Sequence, residues 1–394
     1  MRIRIQNCKD KVIFFILLEI GIIFIGIKID EELIKSWIFY SMIILCVIIS
    51  SQLYQRTDKK FWYFLCMGIM SYPMAFRYQM AMDDAMYERI YNFILLGKSE
   101  RNSVVEGIEK GYILLNKVLS SFRIDYYIIQ IIIIIISFGF LFVGLHNFSK
   151  QKLFDISWFL FLYFLNLYFK IMAAGLNRMN IAISIVFCSL YWMYKKDMCK
   201  YLFTVVVASL FHKSALLMLI FLIVFFNKNK FENWLWRLCC YIGVTFLILL
   251  MRIGLIWVAN VLGGRYLIYS SAQSFNISYS TFIKFGMFFF LLYSSKNIHE
   301  NKIFYQNCLI VVWMGCMIDV FLSSNAAGRL IYYTDLALMI NISILMKCIY
   351  KKYKVVLAAL FQGYFYIIFF LTIIKEPRNF SSLFPYITKY FKIN

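Results

Sequence analysis

The side chains best suited to chemistry in this chain are a scattered set of arginines, acids, tyrosines and one histidine. They are Arg77, Asp83, Asp84 and Tyr87; Asn177 and Arg178; His212 beside Lys213; Arg265; and Asn325, Arg329 and Tyr332. Guanidinium groups hold phosphate oxygens in a fork of parallel hydrogen bonds. A pyrophosphate leaving group needs such neutralisation as its bond breaks. A histidine or carboxylate within hydrogen-bond reach can remove the proton of an attacking hydroxyl. The set therefore suits an anionic substrate, with Arg178 and Arg329 as its clamp, Arg77 or Arg265 assisting, and His212, Asp83 or Asp84 as general base. Each residue alone has a plainer reading: arginines near span ends snorkel to headgroups, adjacent acids cap a helix, and a histidine packs in a turn. Their recurrence together favours the site. Other chemistries fit less well. The chain has no P-loop, no metal-ligand spacing, no nameable Ser-His-Asp set and only 3 histidines. Neither a metal nor a soluble cofactor is expected.

The elements that must position these residues are membrane helices. Of the 394 residues, 62% are hydrophobic and 15% charged, too apolar for a soluble core. Apolar runs of about 20 residues, the length that crosses a bilayer, recur throughout. They predict spans near 12–28, 35–54, 61–76, 126–146, 154–173, 179–194, 235–258, 281–295, 303–323, 329–347 and 354–374. The expected fold is an all-α, polytopic transmembrane helical bundle of about 11–13 membrane segments, forming one integral domain over 1–394. The first run follows basic residues but has no small-residue cleavage site, and Glu19 interrupts it; it reads as a retained span. Glu19 and Lys170 are expected to face the bundle or the interface. The 10 cysteines form no CxxC pair and lie mostly in apolar runs, so they read as small buried side chains. The net charge of +21 comes from short basic clusters between spans, an orientation signal rather than a nucleic-acid surface.

With the N-terminus inside, about half of the 41 basic residues fall in inside loops. This holds only if 200–226 enters and leaves on one side. That stretch is expected to be a hairpin, possible as a re-entrant one, with its tip near His212. Arms of about 12 residues would reach only ~18 Å as α-helix. The segment 77–125 becomes a large external loop with short amphipathic helices, and 259–280 a second external loop. The candidate residues then share the external side.

Four segments resemble the EpsG/Wzy family of bacterial polysaccharide polymerases. GLNRMNIAISI (175–185) is similar to its R-Q-x-I-A helix start, and ASLFHKSAL (208–216) to its A-S-L-F-H-x-S-A-L segment. FRYQMAMDDAMY (76–87) resembles R-Y-x-x-x-x-D-Y-x-x-Y, and AGRLIYY (327–333) its late arginine-tyrosine helix start. Two departures stand out: Met179 replaces the usual glutamine, and alanine follows Asp84, which leaves both Asp83 and Asp84 in play. The resemblance implies a GT-C-like polymerase architecture and a multi-pass place in the bacterial cytoplasmic (inner) membrane. It implies transfer of a growing glycan from undecaprenyl pyrophosphate to a new lipid-linked repeat at the external face, making O-antigen, capsule or exopolysaccharide. Tyr87 and Tyr332 would then stack on or hydrogen-bond sugars, and Asn177 would join the substrate contacts. The implied partners are the undecaprenyl-pyrophosphate-linked oligosaccharide, membrane lipid, a chain-length regulator and a flippase, with no nucleic acid. The rival readings are a ligase of finished glycan and a flippase or transporter of lipid-linked sugar; no inverted repeat of the transporter kind stands out.

Overall fold

A computed structural model of the chain describes residues 31–97, 105, 107–224, 234–262, 279–322, 324–349, 351–369, 378, 381–383, 386–388 and 392–393. The expected first span with Glu19, most of the 259–280 loop with Arg265, and the side chain of Asn325 lie outside these residues.

Helices dominate because a helix satisfies its own backbone where lipid offers no hydrogen bonds. α1 (Glu31–Thr57) and α2 (Lys60–Phe76) come first, then two short helices, α3 (Asp84–Leu95) and α4 (Lys110–Ser120). α5 (Tyr126–Lys150), α6 (Ile156–Ala174) and α7 (Asn177–Tyr194) follow. α8 (Met198–Ser209) leads into a 3₁₀ arm (Lys213–Val224). α9 (Trp234–Leu262), α10 (Tyr279–Ser294), α11 (Lys302–Phe321), α12 (Ser324–Cys348) and α13 (Lys351–Phe369) complete the series. Among the described residues, 6 helices are long and apolar enough to cross a membrane: most of α1, α5, α6, most of α9, α11 and most of α12. The chain is an all-α, multi-pass membrane protein. α2, α7, α10 and α13 also fall on expected spans.

The chain divides into two compact units. The first holds 1–142, 156–180 and 350–394; the second holds 143–155 and 181–349. In the first, Pro73 lies inside α2 and cannot donate to the preceding turn. α2 ends at Phe76, and Arg77 is extended, with φ −60° and ψ 146°. Arg77 pairs in a single β-bridge with Thr388, beside a two-stranded antiparallel ribbon, β1 (Tyr386–Ile387) and β2 (Lys392–Ile393). α3 and α4 occupy the expected external loop. α3 buries Asp84, Tyr87, Ile90, Tyr91 and Ile94, a spacing that marks one helix face. α6 carries a π turn at Phe164–Tyr168, where Lys170 Nζ donates to the buried Asn166 Oδ1 at 2.8 Å.

In the second unit, α11 and α12 pack so closely that a Cβ on Gly315 would lie 2.5 Å from Thr334 Oγ1. α8 and the 3₁₀ arm fold back on one another, tied by the Tyr201 hydroxyl donating to the Met218 carbonyl at 2.6 Å. The second arm differs from the expected α-helix. Its 12 residues are 3₁₀, which rises about 2.0 Å per residue and so runs about 24 Å.

Candidate functional site

Gly175 makes the corner on which the first unit's polar cluster is built. α6 stops at Ala174, and Gly175 takes the left-handed conformation, φ 70°. The Gly175 N–H donates to the Met172 carbonyl and the Leu176 N–H to the Ile171 carbonyl. This paired closure is the common glycine end of a helix. α7 starts at Asn177, two residues later. The carbonyls of Ala173 and Ala174, left open at the end of α6, accept the N–H groups of Met82 and Asp83, each at 3.2 Å. A Cβ on Gly175 would lie 2.9 Å from Ala81 Cβ and 3.2 Å from Asp84 Oδ1. Only glycine gives both the backbone angle and the room, so residues 81–84 lie directly on the α6–α7 corner.

Arg77, Asp84 and Asn177 meet there. Arg77 is fully buried and Asp84 is 3% exposed. Arg77 Nη2 donates to Asp84 Oδ1 at 3.0 Å and to Asn177 Oδ1 at 3.1 Å; Nε donates to Asp84 Oδ2 at 3.3 Å. Asp84 Oδ2 also accepts the Ala81 N–H at 3.0 Å, and Asn177 Nδ2 donates to Tyr126 Oη at 3.4 Å. Among the described residues, Arg77 Nη1 has no hydrogen-bond partner. Burial alone would lower the Arg77 pKa, but the Asp84 charge and its hydrogen bonds outweigh that and hold it above its ordinary value. Asp83 is half-buried at the start of α3 and makes no side-chain cap.

Arg178, the next residue of α7, turns to a different set. Its Nη1 pairs with Glu109, and its Nε donates to Tyr87 Oη at 3.3 Å. The guanidinium also sits over the Tyr87 ring, 5.7 Å from the centroid. The Tyr87 and Tyr112 rings meet edge-on at 5.5 Å. Burial pushes the phenols of Tyr87 and Tyr112 up; for Tyr87 the Arg178 charge partly opposes this. Arg178 keeps 15% of its side chain exposed, where Arg77 keeps none.

In the second unit, His212 forms the turn between α8 and the 3₁₀ arm. Its N–H donates to the Ala208 carbonyl and its own carbonyl accepts from the Ala215 N–H, both at 3.0 Å. Its Nδ1 is hydrogen-bonded to Ser214 Oγ, which donates to Tyr333 Oη at 3.1 Å. Tyr333 is fully buried on α12. On the same helix Tyr332 is half-buried and Arg329 exposed. Deeper in this unit, Lys284 of α10 pairs with Asp319 of α11 at 2.6 Å. Lys284 lines a small cavity with Cys316, Thr334 and Asp335. Among the described residues, Asp335 Oδ2 has no partner.

Each unit thus gathers some of the expected residues. The first joins Arg77, Asp84 and Asn177, with Tyr87 and Arg178 beside them; the second holds His212, Arg329 and Tyr332. Sequence reasoning passed over Glu109, Tyr112, Ser214, Tyr333, Lys284, Asp319 and Asp335. Two signals were there to read. Glu109 and Tyr112 repeat the three-residue acid-to-tyrosine spacing of Asp84 and Tyr87, and the last three are charges inside expected spans. Among the described residues, no group of three or more histidine, cysteine, aspartate or glutamate side chains is placed to hold a metal ion.

Searches of curated proteins and of solved structures returned no match to this chain. The model of the EpsG family matches residues 59–388, a stretch that takes in every residue of both clusters. Covering most of the 394 residues, that match shows that the chain belongs to the EpsG family.

Proposed function

We propose that this chain is a membrane glycosyltransferase that polymerises undecaprenyl-pyrophosphate-linked oligosaccharide repeat units. It would work at the external face of the bacterial cytoplasmic membrane and build O-antigen, capsule or exopolysaccharide, alongside a flippase and a chain-length regulator. Membership of the EpsG family supports a polysaccharide-polymerase type of role. The observation that carries the finer reading is the surrounding of Arg178. Its side chain is 15% exposed, and its guanidinium is braced by Tyr87 and already holds one carboxylate. An arginine that binds a carboxylate has the fork geometry to bind a phosphate.

In the proposed reaction Arg178 binds the donor pyrophosphate, and Arg329 and Arg265 are further cationic contacts. The acceptor hydroxyl oxygen attacks the anomeric carbon while the carbon–oxygen bond to the pyrophosphate breaks. That electron pair leaves on the phosphate oxygen, and the hydroxyl proton passes to a base. The base is His212 or Asp83, because Asp84 already serves Arg77 and the Ala81 N–H. Tyr87 and Tyr332 contact sugar. Arg77, Asp84 and Asn177 hold the corner that aims Arg178.

The test is a gel of surface glycan from a strain lacking the gene, complemented with wild type, Arg178→Ala or His212→Ala. A single repeat in place of a ladder, rescued by wild type and by neither variant, is the expected result. A ladder that persists on the lipid carrier would point to ligation, and no external repeat at all to a flippase. A normal ladder with both variants would remove Arg178 and His212 from the site.

A further inference from the structure

The end of α2 is closed by side chains from elsewhere in the first unit. The last turn of an α-helix leaves its carbonyls without donors of their own. Here the Tyr386 hydroxyl donates to the Pro73 carbonyl at 3.1 Å, and the Tyr127 hydroxyl to the Phe76 carbonyl at 3.0 Å. Tyr127 belongs to α5. Tyr386 belongs to β1, more than three hundred residues after Pro73.

Residues 381–383 and 386–388 form a strap between α1 and the stretch that follows α2. The Leu383 carbonyl accepts the Tyr40 hydroxyl at 2.9 Å, and the Tyr386 N–H donates to Ser36 Oγ at 3.0 Å. The Tyr386 ring stacks on Phe39, with centroids 4.7 Å apart. Leu383 and Tyr386 are fully buried. The Ile387 carbonyl then accepts the Tyr78 N–H at 3.0 Å, and Thr388 is the bridge partner of Arg77. Each of these bonds has a main-chain carbonyl as acceptor or a main-chain N–H as donor, so its direction is fixed.

Arg77 is thus held from two sides. Its main chain pairs with the strap, and its carbonyl accepts the Gln130 amide at 2.9 Å. Its side chain donates to Asp84 and to Asn177, the residue before Arg178. An extended residue past a helix end must find partners for its backbone elsewhere, so Arg77 sits where the strap and α5 put it.

We infer that the strap is a positioning element for Arg178, with Tyr386 as its anchor. The strap sets the Arg77 backbone, Arg77 sets Asp84 and Asn177, and these set the start of α7 from which Arg178 extends. This rests on the polymerase reading for what Arg178 does, and on the hydrogen bonds alone for what holds it. A misplacement of about 1 Å by a change far from the chemistry can cost about 10²-fold in rate, so the strap acts without touching substrate.

The experiment uses the full chain in lipid nanodiscs. Tyr386→Phe keeps the ring against Phe39 and removes the hydroxyl from the Pro73 carbonyl; Tyr386→Ala removes both. Hydrogen exchange of peptides covering 77–84 and 175–180 should speed up in both variants, more in Tyr386→Ala, while peptides of α11 and α12 stay as in wild type. Unchanged exchange at 77–84 in Tyr386→Ala would overturn the inference; if that variant fails to fold, Tyr386→Phe decides. The kinetic arm uses as substrate the lipid-linked repeat extracted from the deletion strain. Tyr386→Phe should lower kcat/KM about tenfold, a part of the effect of full misplacement. In an Arg178→Lys background the same change should cost less than about twofold, because the group it positions is gone. Equal losses in the two backgrounds would mark a merely structural role and overturn the inference; if Arg178→Lys leaves no measurable rate, hydrogen exchange decides alone. If wild type itself fails to extend the extracted repeat, the polymerase reading falls, while hydrogen exchange still decides whether the strap holds the corner.

Discussion

Asp84→Asn isolates the charge at the α6–α7 corner from its shape. Asparagine fills the same volume, and its carbonyl oxygen can still accept the Ala81 N–H that Asp84 Oδ2 now holds at 3.0 Å. What disappears is the negative charge facing a fully buried guanidinium. Arg77 already has one nitrogen, Nη1, without a partner among the described residues. Removing one member of a buried ion pair typically costs about 3–5 kcal/mol, because the other charge stays behind in a medium that cannot solvate it. Adding Arg77→Met to Asp84→Asn should be milder. It removes both charges, keeps an acceptor for the Ala81 N–H, and leaves mainly the Asn177 carbonyl without its donor, which costs about 1–3 kcal/mol. The order is the sharp part: the double variant should be more stable than Asp84→Asn alone. Unfolding by SDS titration in mixed micelles, read from midpoints at constant slope, measures it. If Asp84→Asn loses less than about 1 kcal/mol, or if the double variant is as unstable as the two single changes added together, the pair does not hold this corner and the reasoning fails.

Gly175→Ala should destabilise the first unit by more than the about 1–2 kcal/mol of a left-handed alanine, since its Cβ would lie 2.9 Å from Ala81 Cβ; the same titration reads it. Gly315→Leu should separate α11 from α12 and reduce the yield of folded protein in membranes, because even a Cβ there would lie 2.5 Å from Thr334 Oγ1; a folding yield equal to wild type would refute this. Lys284→Met should be worse than Asp335→Asn in a thermal stability assay, because it strips the cation from Asp319 while Asp335→Asn leaves that pair intact. Tyr87 and Tyr112 have phenols raised above their unfolded values by burial, so their contribution is complete below about pH 10. It falls as pH rises further, because the unfolded chain then ionises first; Tyr87→Phe should flatten the loss of unfolding midpoint above that pH.

The fold was largely legible because its strongest signal is length. An apolar run of about 20 residues is long enough to span a bilayer whatever its neighbours do, and α1, α5, α6, α9, α11 and α12 appear where such runs predict them. Less legible were features set by contacts rather than runs. The 3₁₀ geometry of Lys213–Val224 has the same apolar composition an α-helix would have, so the sequence had no cue for its greater reach. The bridge from Arg77 to Thr388 joins residues more than three hundred positions apart, and neither flank alternates long enough to announce a strand. Gly175 was visible only as the first letter of a motif; its reason is the pair of close approaches to Ala81 and Asp84.

The candidate site shows a more general limit. An arginine that meets a substrate phosphate and one that meets an internal carboxylate use the same fork, so residue type and spacing cannot separate them. Burial can. Arg77 is fully enclosed and holds Asp84 and Asn177, so its task in this conformation is to fix residues 81–84 against α7. Arg178, one residue after Asn177, keeps part of its surface open and is matched by Glu109. Burial thus separates the two arginines: the closed one sets the corner, and under the proposed function the less buried one would exchange its carboxylate for the donor pyrophosphate. The ordering also says which substitution reads out what. A conservative change at Arg77 should move stability and activity together, whereas Arg178→Lys should leave the fold intact and lose the fork, with activity falling while the unfolding midpoint holds. Equal losses of stability at the two positions would mean that both are structural, and that the anion-binding group lies elsewhere.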